Sequence, residues 1–155
     1  MFLREMKTSM IDGGAYKAFD RSLYIKADTK GKDVISNLLI KKGHTLTNIK
    51  ETYSCDIVTE KNGVTHNSEV EIKFSWKEEW PLSWEEIRIP YRKHKLLGKP
   101  NLTFYVLRSD CKQAWEIDAD ILANVATIKE VPNRYIRKGE KFFHVPVQHA
   151  KLLEV

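Results

Sequence analysis

Residues 48–76 read NIKETYSCDIVTEKNGVTHNSEVEIKFSW, and the Asn62-Gly63 pair in their middle decides how the chain is organised. Asn and Gly accept the positive φ of a two-residue turn, and two strand-like runs, Asn48 to Glu60 and Val64 to Trp76, flank them. A β-hairpin is therefore expected. Such a turn pairs Lys61 with Val64, and counting outward along both strands sets Asp56 opposite Glu69. Side chains alternate along a strand, so Glu69, Glu71 and Lys73 share one face, joined by Asp56. Cys55, Ile57, Val70, Ile72 and Phe74 take the other face and form the expected core.

Outward from the hairpin, the pattern changes to helices on the N-terminal side. Ala15, Phe19 and Leu23 recur every four residues in the segment from Gly13 to Tyr24. Asp28-Thr29-Lys30-Gly31 reads as the start of a second helix, with Val34, Ile35, Leu38 and Leu39 as its apolar stripe and Gly43 as its stop. On the C-terminal side, Ser83 and Glu86 make a capping box, predicting a helix that is short, kinked or restarted at Pro90. Tyr91 to Leu97 continues helically and Gly98 ends it. Leu102 to Leu107 and Ala114 to Ile117 are expected strands, Asp118 to Val125 a short helix, and Lys141 to Val147 a last strand. The sum is an α/β fold: a mixed sheet with a central β-hairpin flanked by helices. No repeat or long linker divides residues 1–155, which read as a single domain with residues 1–12 as an N-terminal arm.

Composition bounds the class. Of 155 residues, 42% are hydrophobic and 30% charged, the formal net charge is +5 and the pI is about 9.1. No apolar run approaches the roughly 20 residues of a membrane span, and MFLREMKTSM lacks the apolar stretch of a secretory signal. No membrane association is expected. Cys55 and Cys111 are too few for a disulfide scaffold and have no zinc-knuckle spacing, so a reducing, cytoplasmic setting is the default. The five histidines show no metal spacing. The basic excess favours a polyanionic partner in general terms only.

The charged hairpin face is unusual on stability grounds. Asp56, Glu69 and Glu71 would repel one another across and along the strands. A hard cation removes the objection, because Mg²⁺ is held by one or two carboxylates with water and phosphate completing its shell. Lys73 would reach the same site and could stabilise charge on a phosphate. A solvated strand face of alternating Glu and Lys is the plainer reading, and Glu-x-Lys alone occurs by chance in many proteins.

Taken together, Asp56 followed across a turn by Glu71-x-Lys73, within EVEIKFSW, resembles the PD-(D/E)XK nuclease superfamily. The match runs from about Thr29 to Leu107 and covers order as well as residues: helix, hairpin, helix, further strand. The resemblance implies a restriction-endonuclease-like core and metal-dependent hydrolysis of phosphodiester bonds, either restriction-like or junction-resolving. It implies Asp56, Glu71 and Lys73 as catalytic residues and Mg²⁺ as cofactor, with Mn²⁺ as a substitute. DNA is the implied substrate, RNA the less frequent one. Asp56 and Glu71 are the implied metal ligands, Glu69 is an extra candidate, and Asp33 is the nearest first-helix acid, with Asp28 and Asp20 behind it. Cys55 stands where the superfamily has Pro. Arg88, Arg92, Lys93 and Lys95, interleaved with Tyr91, Trp76, Trp80 and Trp84, are the candidate nucleic-acid contacts. Cutting both strands of a duplex would call for a homodimer. The alternatives are a catalytically silent nuclease-fold protein that binds nucleic acid or a protein partner, and a plain α/β interaction domain.

Overall fold

Helix α1 (Arg21–Lys41) leads into the sheet. The computed structural model describes residues 21–47, 55–73, 80, 85–132 and 139–155, with side chains from Asp28 onward. The expected arm and most of the segment from Gly13 to Tyr24 lie outside the described residues, as do Asp20, Phe74, Trp76, Ser83 and Trp84. The helix start expected at Asp28 to Gly31 is instead helix interior. Gly31 is tolerated there by close packing: a Cβ would lie 2.8 Å from Ile72 Cδ1 and 3.3 Å from Leu107 Cδ2. The missing side chain lets α1 lie directly on the sheet. The helix ends at Gly43 as expected, where the Gly43 N–H donates to Ile40 O and the His44 N–H to Leu39 O, both at 3.0 Å. This pair of bonds satisfies carbonyls that the last turn would otherwise leave open.

After β1 (Thr45–Leu46) come β2 (Ile57–Lys61) and β3 (Val64–Lys73), joined through Asn62 and Gly63 at φ 54° and 77°. The register is the expected one, with Lys61 paired to Val64 and Ile57 to Ser68. The chain bends at Asp56, so β2 begins one residue later. Beyond the hairpin, β4 (Glu86–Pro90) precedes a 3₁₀ helix over Tyr91–Leu96, then β5 (Leu102–Arg108) and β6 (Gln113–Asp118). Helix α2 (Ala119–Asn124), β7 (Thr127–Val131), β8 (Glu140–Pro146), a 3₁₀ turn over Val147–His149 and β9 (Lys151–Glu154) complete the chain.

Six strands form one mixed sheet in the order β1-β2-β3-β5-β6-β9. β3 and β5 run parallel, and the other neighbours are antiparallel. The second sheet is antiparallel, in the order β4-β8-β7. The helix expected from Ser83 and Glu86 is therefore corrected: Glu86–Pro90 is a strand. Its alternation explains why, since Ile87 and Ile89 are fully buried while Arg88 is exposed, a period of two that a helix could not bury on one side. Strands β7 and β9 were not expected; β7 is almost wholly exposed and so carries no apolar alternation.

Two apolar clusters occupy the two faces of the large sheet. Ile35 and Leu39 of α1 pack on Ile57, Val70, Tyr105, Leu107 and Ala114. On the other face, Leu102, Phe104, Val106 and Ile117 pack on Ile87, Ile89, Phe143 and Val145 of the second sheet and on Leu122 of α2. A mixed sheet is present, but helices do not flank it on both sides, because a second sheet with the short α2 covers one face. Cys55 also departs from expectation. It joins the second cluster, whereas Ile57 joins the first, because the bend at Asp56 interrupts the alternation.

Candidate functional site

Parallel pairing sets Glu69 beside Phe104, Glu71 beside Val106 and Lys73 beside Arg108. The charged face of β3 therefore lies on the side covered by the second sheet. Glu69 is 5% exposed, while Glu71 and Lys73 are half-buried. Charges in this position need partners, since desolvated ions are costly when left alone.

Asp56 and Glu69 are tied reciprocally. The Asp56 N–H donates to Glu69 Oε2 at 2.6 Å, and the Val70 N–H donates to Asp56 Oδ2 at 2.9 Å. Three cations then meet the three carboxylates. Lys93 Nζ lies 2.5 Å from Glu69 Oε1 and 3.3 Å from Glu71 Oε2. Arg92 Nη2 lies 3.8 Å from the same Glu71 oxygen, and Lys32 Nζ is 3.6 Å from Asp56 Oδ1. Burial pushes the Glu69 carboxyl above its ordinary range, with the Asp56 charge adding to the rise and Lys93 opposing it. For Lys93, burial pulls the ammonium down, but Glu71 and Glu69 together outweigh it and the net shift is upward. Lys32 behaves likewise, with Asp56 the largest influence opposing burial.

Lys73 is placed differently. Its Nζ sits 5.7 Å from the centroid of the Phe142 ring. Burial lowers its pKa, against the pull of Glu71 and Glu140 and with Arg88 and Arg92 reinforcing the fall. The structure thus brings Asp56, Glu69 and Glu71 together and leaves Lys73 at the edge of the group, against an aromatic ring.

Asp33 is not brought in. It is exposed on α1, and the acid linked to Asp56 is Asp28, through Lys32, whose Nζ lies 3.2 Å from Asp28 Oδ2. Of the candidate phosphate contacts, Arg88 and Lys95 are exposed while Arg92 and Lys93 turn inward. The described aromatics pack internally: Tyr91 stacks on His94 at 4.6 Å and Trp80 meets Trp115 at 6.3 Å.

Several participants escaped sequence reasoning. Lys32 had a signal, its i,i+4 spacing from Asp28 on a helix. The inward role of Lys93 had none, since it reaches Glu69 only through the crossover. His44 and His66 are far apart in sequence yet have ring centroids 4.9 Å apart, with His44 Nδ1 2.7 Å from Thr59 Oγ1. Among the described residues, no group of three or more His, Cys, Asp and Glu side chains is placed to hold a metal ion. A separate groove of about 580 Å³, lined in part by His66, Lys99, Asn101 and Asp118, contains none of Asp56, Glu71 and Lys73. Cys55 is buried beside Glu69, and burial pushes its thiol up to about 12, which argues against a nucleophile.

No protein-family model, curated protein or solved structure matches this chain. No helix among the described residues is long and apolar enough to cross a membrane.

Proposed function

We propose that the protein is a divalent-metal-dependent endonuclease acting on DNA, with Asp56 and Glu71 as oxygen donors to Mg²⁺ and Lys73 as the cation that stabilises charge on the phosphate. The observation that carries this reading is the hairpin register, which sets Asp56 against Glu69 on a strand whose next same-face residues are Glu71 and Lys73. The donor set suits the ion. Carboxylate oxygens are hard ligands, and Mg²⁺ takes only one or two of them, leaving the remaining positions to water and phosphate. A closed protein cage is not required. The bound ion would supply Lewis-acid stabilisation of the charge that builds on the scissile phosphate.

The chain's own residues have separable tasks. The Val70 N–H fixes the Asp56 carboxylate, and the Asp56 N–H fixes that of Glu69, so both are held before substrate arrives. Lys73 lies within electrostatic reach of Glu71, whose charge favours its protonated form against the opposing effect of burial. Exposed Arg88 and Lys95 would meet the DNA backbone. Element order lends support: helix, hairpin, then a crossover to β5 running parallel beside β3. Here the crossover carries β4 and a 3₁₀ helix where the superfamily pattern has a helix. A restriction-endonuclease-like core with that replacement belongs to the proposal, as does a homodimer for cutting both strands.

One observation favours a second reading. Lys93, Arg92 and Lys32 already neutralise the carboxylates, as they could in a silent nuclease-fold protein that only binds nucleic acid. The experiment is incubation with supercoiled plasmid, branched DNA and RNA, in Mg²⁺, in Mn²⁺ and in chelator. Cleavage of DNA is expected only with metal, falling about 10²-fold or more in Asp56→Ala and Lys73→Met. A wild-type protein that binds DNA but leaves every substrate intact would establish the silent binder instead.

A further inference from the structure

We infer that Lys93 is an internal counter-ion of the carboxylate cluster, holding Glu69 and Glu71 together in the absence of a divalent cation and competing with that cation for them. The inference rests on the metal-centre reading above. Its ground is the position of one ammonium group against two carboxylates that, among the described residues, no other element approaches so closely, at 2.5 and 3.3 Å. Glu69 and Glu71 are same-face neighbours on β3 and repel each other. The burial of Glu69 under the second sheet makes an uncompensated pair costly. Lys93 resolves both problems from 24 residues away in the chain.

Charge counting gives the competition its direction. Asp28, Asp56, Glu69 and Glu71 face Lys32, Lys73, Arg92 and Lys93, four acids against four bases. A divalent ion added to that balanced set leaves two excess positive charges beside Glu69 and Lys93, whose side chains are only 6% and 14% exposed. Lys93, the cation with the most carboxylate contact, is the one displaced. Arg108 shows the contrasting case. Its guanidinium is locked by paired bonds to Asp110 at 2.8 and 2.9 Å and by Gln113 at 2.9 Å, and it has nowhere to go. Lys93 has a flexible stem and belongs to a 3₁₀ helix of six residues. That is longer than such helices usually run, with weak internal hydrogen bonds that favour local movement.

Titration of wild-type, Lys93→Met and Lys93→Arg proteins with Mn²⁺, following free Mn²⁺ by electron paramagnetic resonance, tests this directly. Lys93→Met should bind Mn²⁺ at least tenfold more tightly than wild type, and Lys93→Arg should stay within a few-fold of it. If the wild type binds and Lys93→Met binds equally or more weakly, the counter-ion role is overturned while the metal centre stands. If no protein binds Mn²⁺, both fail. A second measurement needs no variant: amine acetylation of the wild type, read by mass spectrometry. Lys93 should become more reactive when Mn²⁺ is added, as it leaves the carboxylates. Unchanged or reduced reactivity in a protein that binds Mn²⁺ would overturn the proposal.

Discussion

Val70 and Ile72 point from β3 into the apolar layer under α1, whereas Glu69, Glu71 and Lys73, one residue away in each case, face the second sheet. The two sides of a single strand are closed by different means. Under α1, closure is steric: aliphatic side chains fill the space, and Gly31 brings the helix down onto Ile72 and Leu107. Under the second sheet, apolar packing through Phe104, Val106, Ile87 and Phe143 surrounds a group of charges that must be matched pairwise. Such a group seldom adds stability over an apolar filling of the same volume. Its presence beside the apolar core is the feature on which the proposed function draws.

This contrast can be broken by mutation. The largest effects should separate the two faces cleanly. Glu71→Gln should lower metal-dependent cleavage by about 10²- to 10³-fold, while moving the urea midpoint little. Ile35→Ala, at a fully buried position of α1, should instead cost about 2–5 kcal/mol of stability, with cleavage per folded molecule preserved. If Ile35→Ala lost cleavage as severely as Glu71→Gln at equal folded fraction, the division of labour between the faces would be wrong. A smaller effect sharpens the steric side. Gly31→Val places branched carbons where one Cβ already lies 2.8 Å from Ile72 Cδ1, and should destabilise by about 1–3 kcal/mol. Equal or greater stability in urea denaturation would show that α1 has room to lift.

The smallest prediction concerns the second sheet alone. His144 on β8 is buried, its Nδ1 lies 3.3 Å from Glu86 Oε1, and its Nε2 has no hydrogen-bond partner among the described residues. Burial pushes its pKa below the ordinary value of 6.5, with Arg88 and Lys129 reinforcing the fall and Glu86 opposing it. The unfolded chain therefore takes up the proton first as the pH falls. Stability is fully present above pH 6.5 and declines as the pH drops toward the folded-state pKa. The slope from this one group is at most about 1.4 kcal/mol per pH unit. His144→Leu should remove it, read as the wild-type-minus-variant difference in unfolding free energy between pH 7 and pH 5. A flat difference would mean that His144 protonates as easily in the folded protein as outside it.

Much of the hairpin was legible in residues 48–76 because its determinants are local. Asn62 and Gly63 supply two positive φ angles, and a two-residue turn leaves a single register, from which the approach of Asp56 to Glu69 follows. Leu102 to Leu107 was legible for a different reason: a strand covered on both faces is continuously apolar. Glu86–Pro90 misled because Ser83 and Glu86 mimic a helix start, while the alternation of Ile87 and Ile89 is too short to outweigh it. Strand β7 left no signal, being exposed on both faces.

What the sequence determined by itself is the constellation on the hairpin: which residues turn, which pair, and which three acids and one lysine share a neighbourhood. Only the tertiary structure decided their surroundings. It placed that face under a second sheet, sent Lys93 between Glu69 and Glu71, linked Asp28 rather than Asp33 to the group through Lys32, and set Lys73 against Phe142. The physical reason is range. Turn geometry and strand alternation act over a few residues, whereas the partner of a buried charge is chosen by whichever distant segment the packing of the core delivers to it.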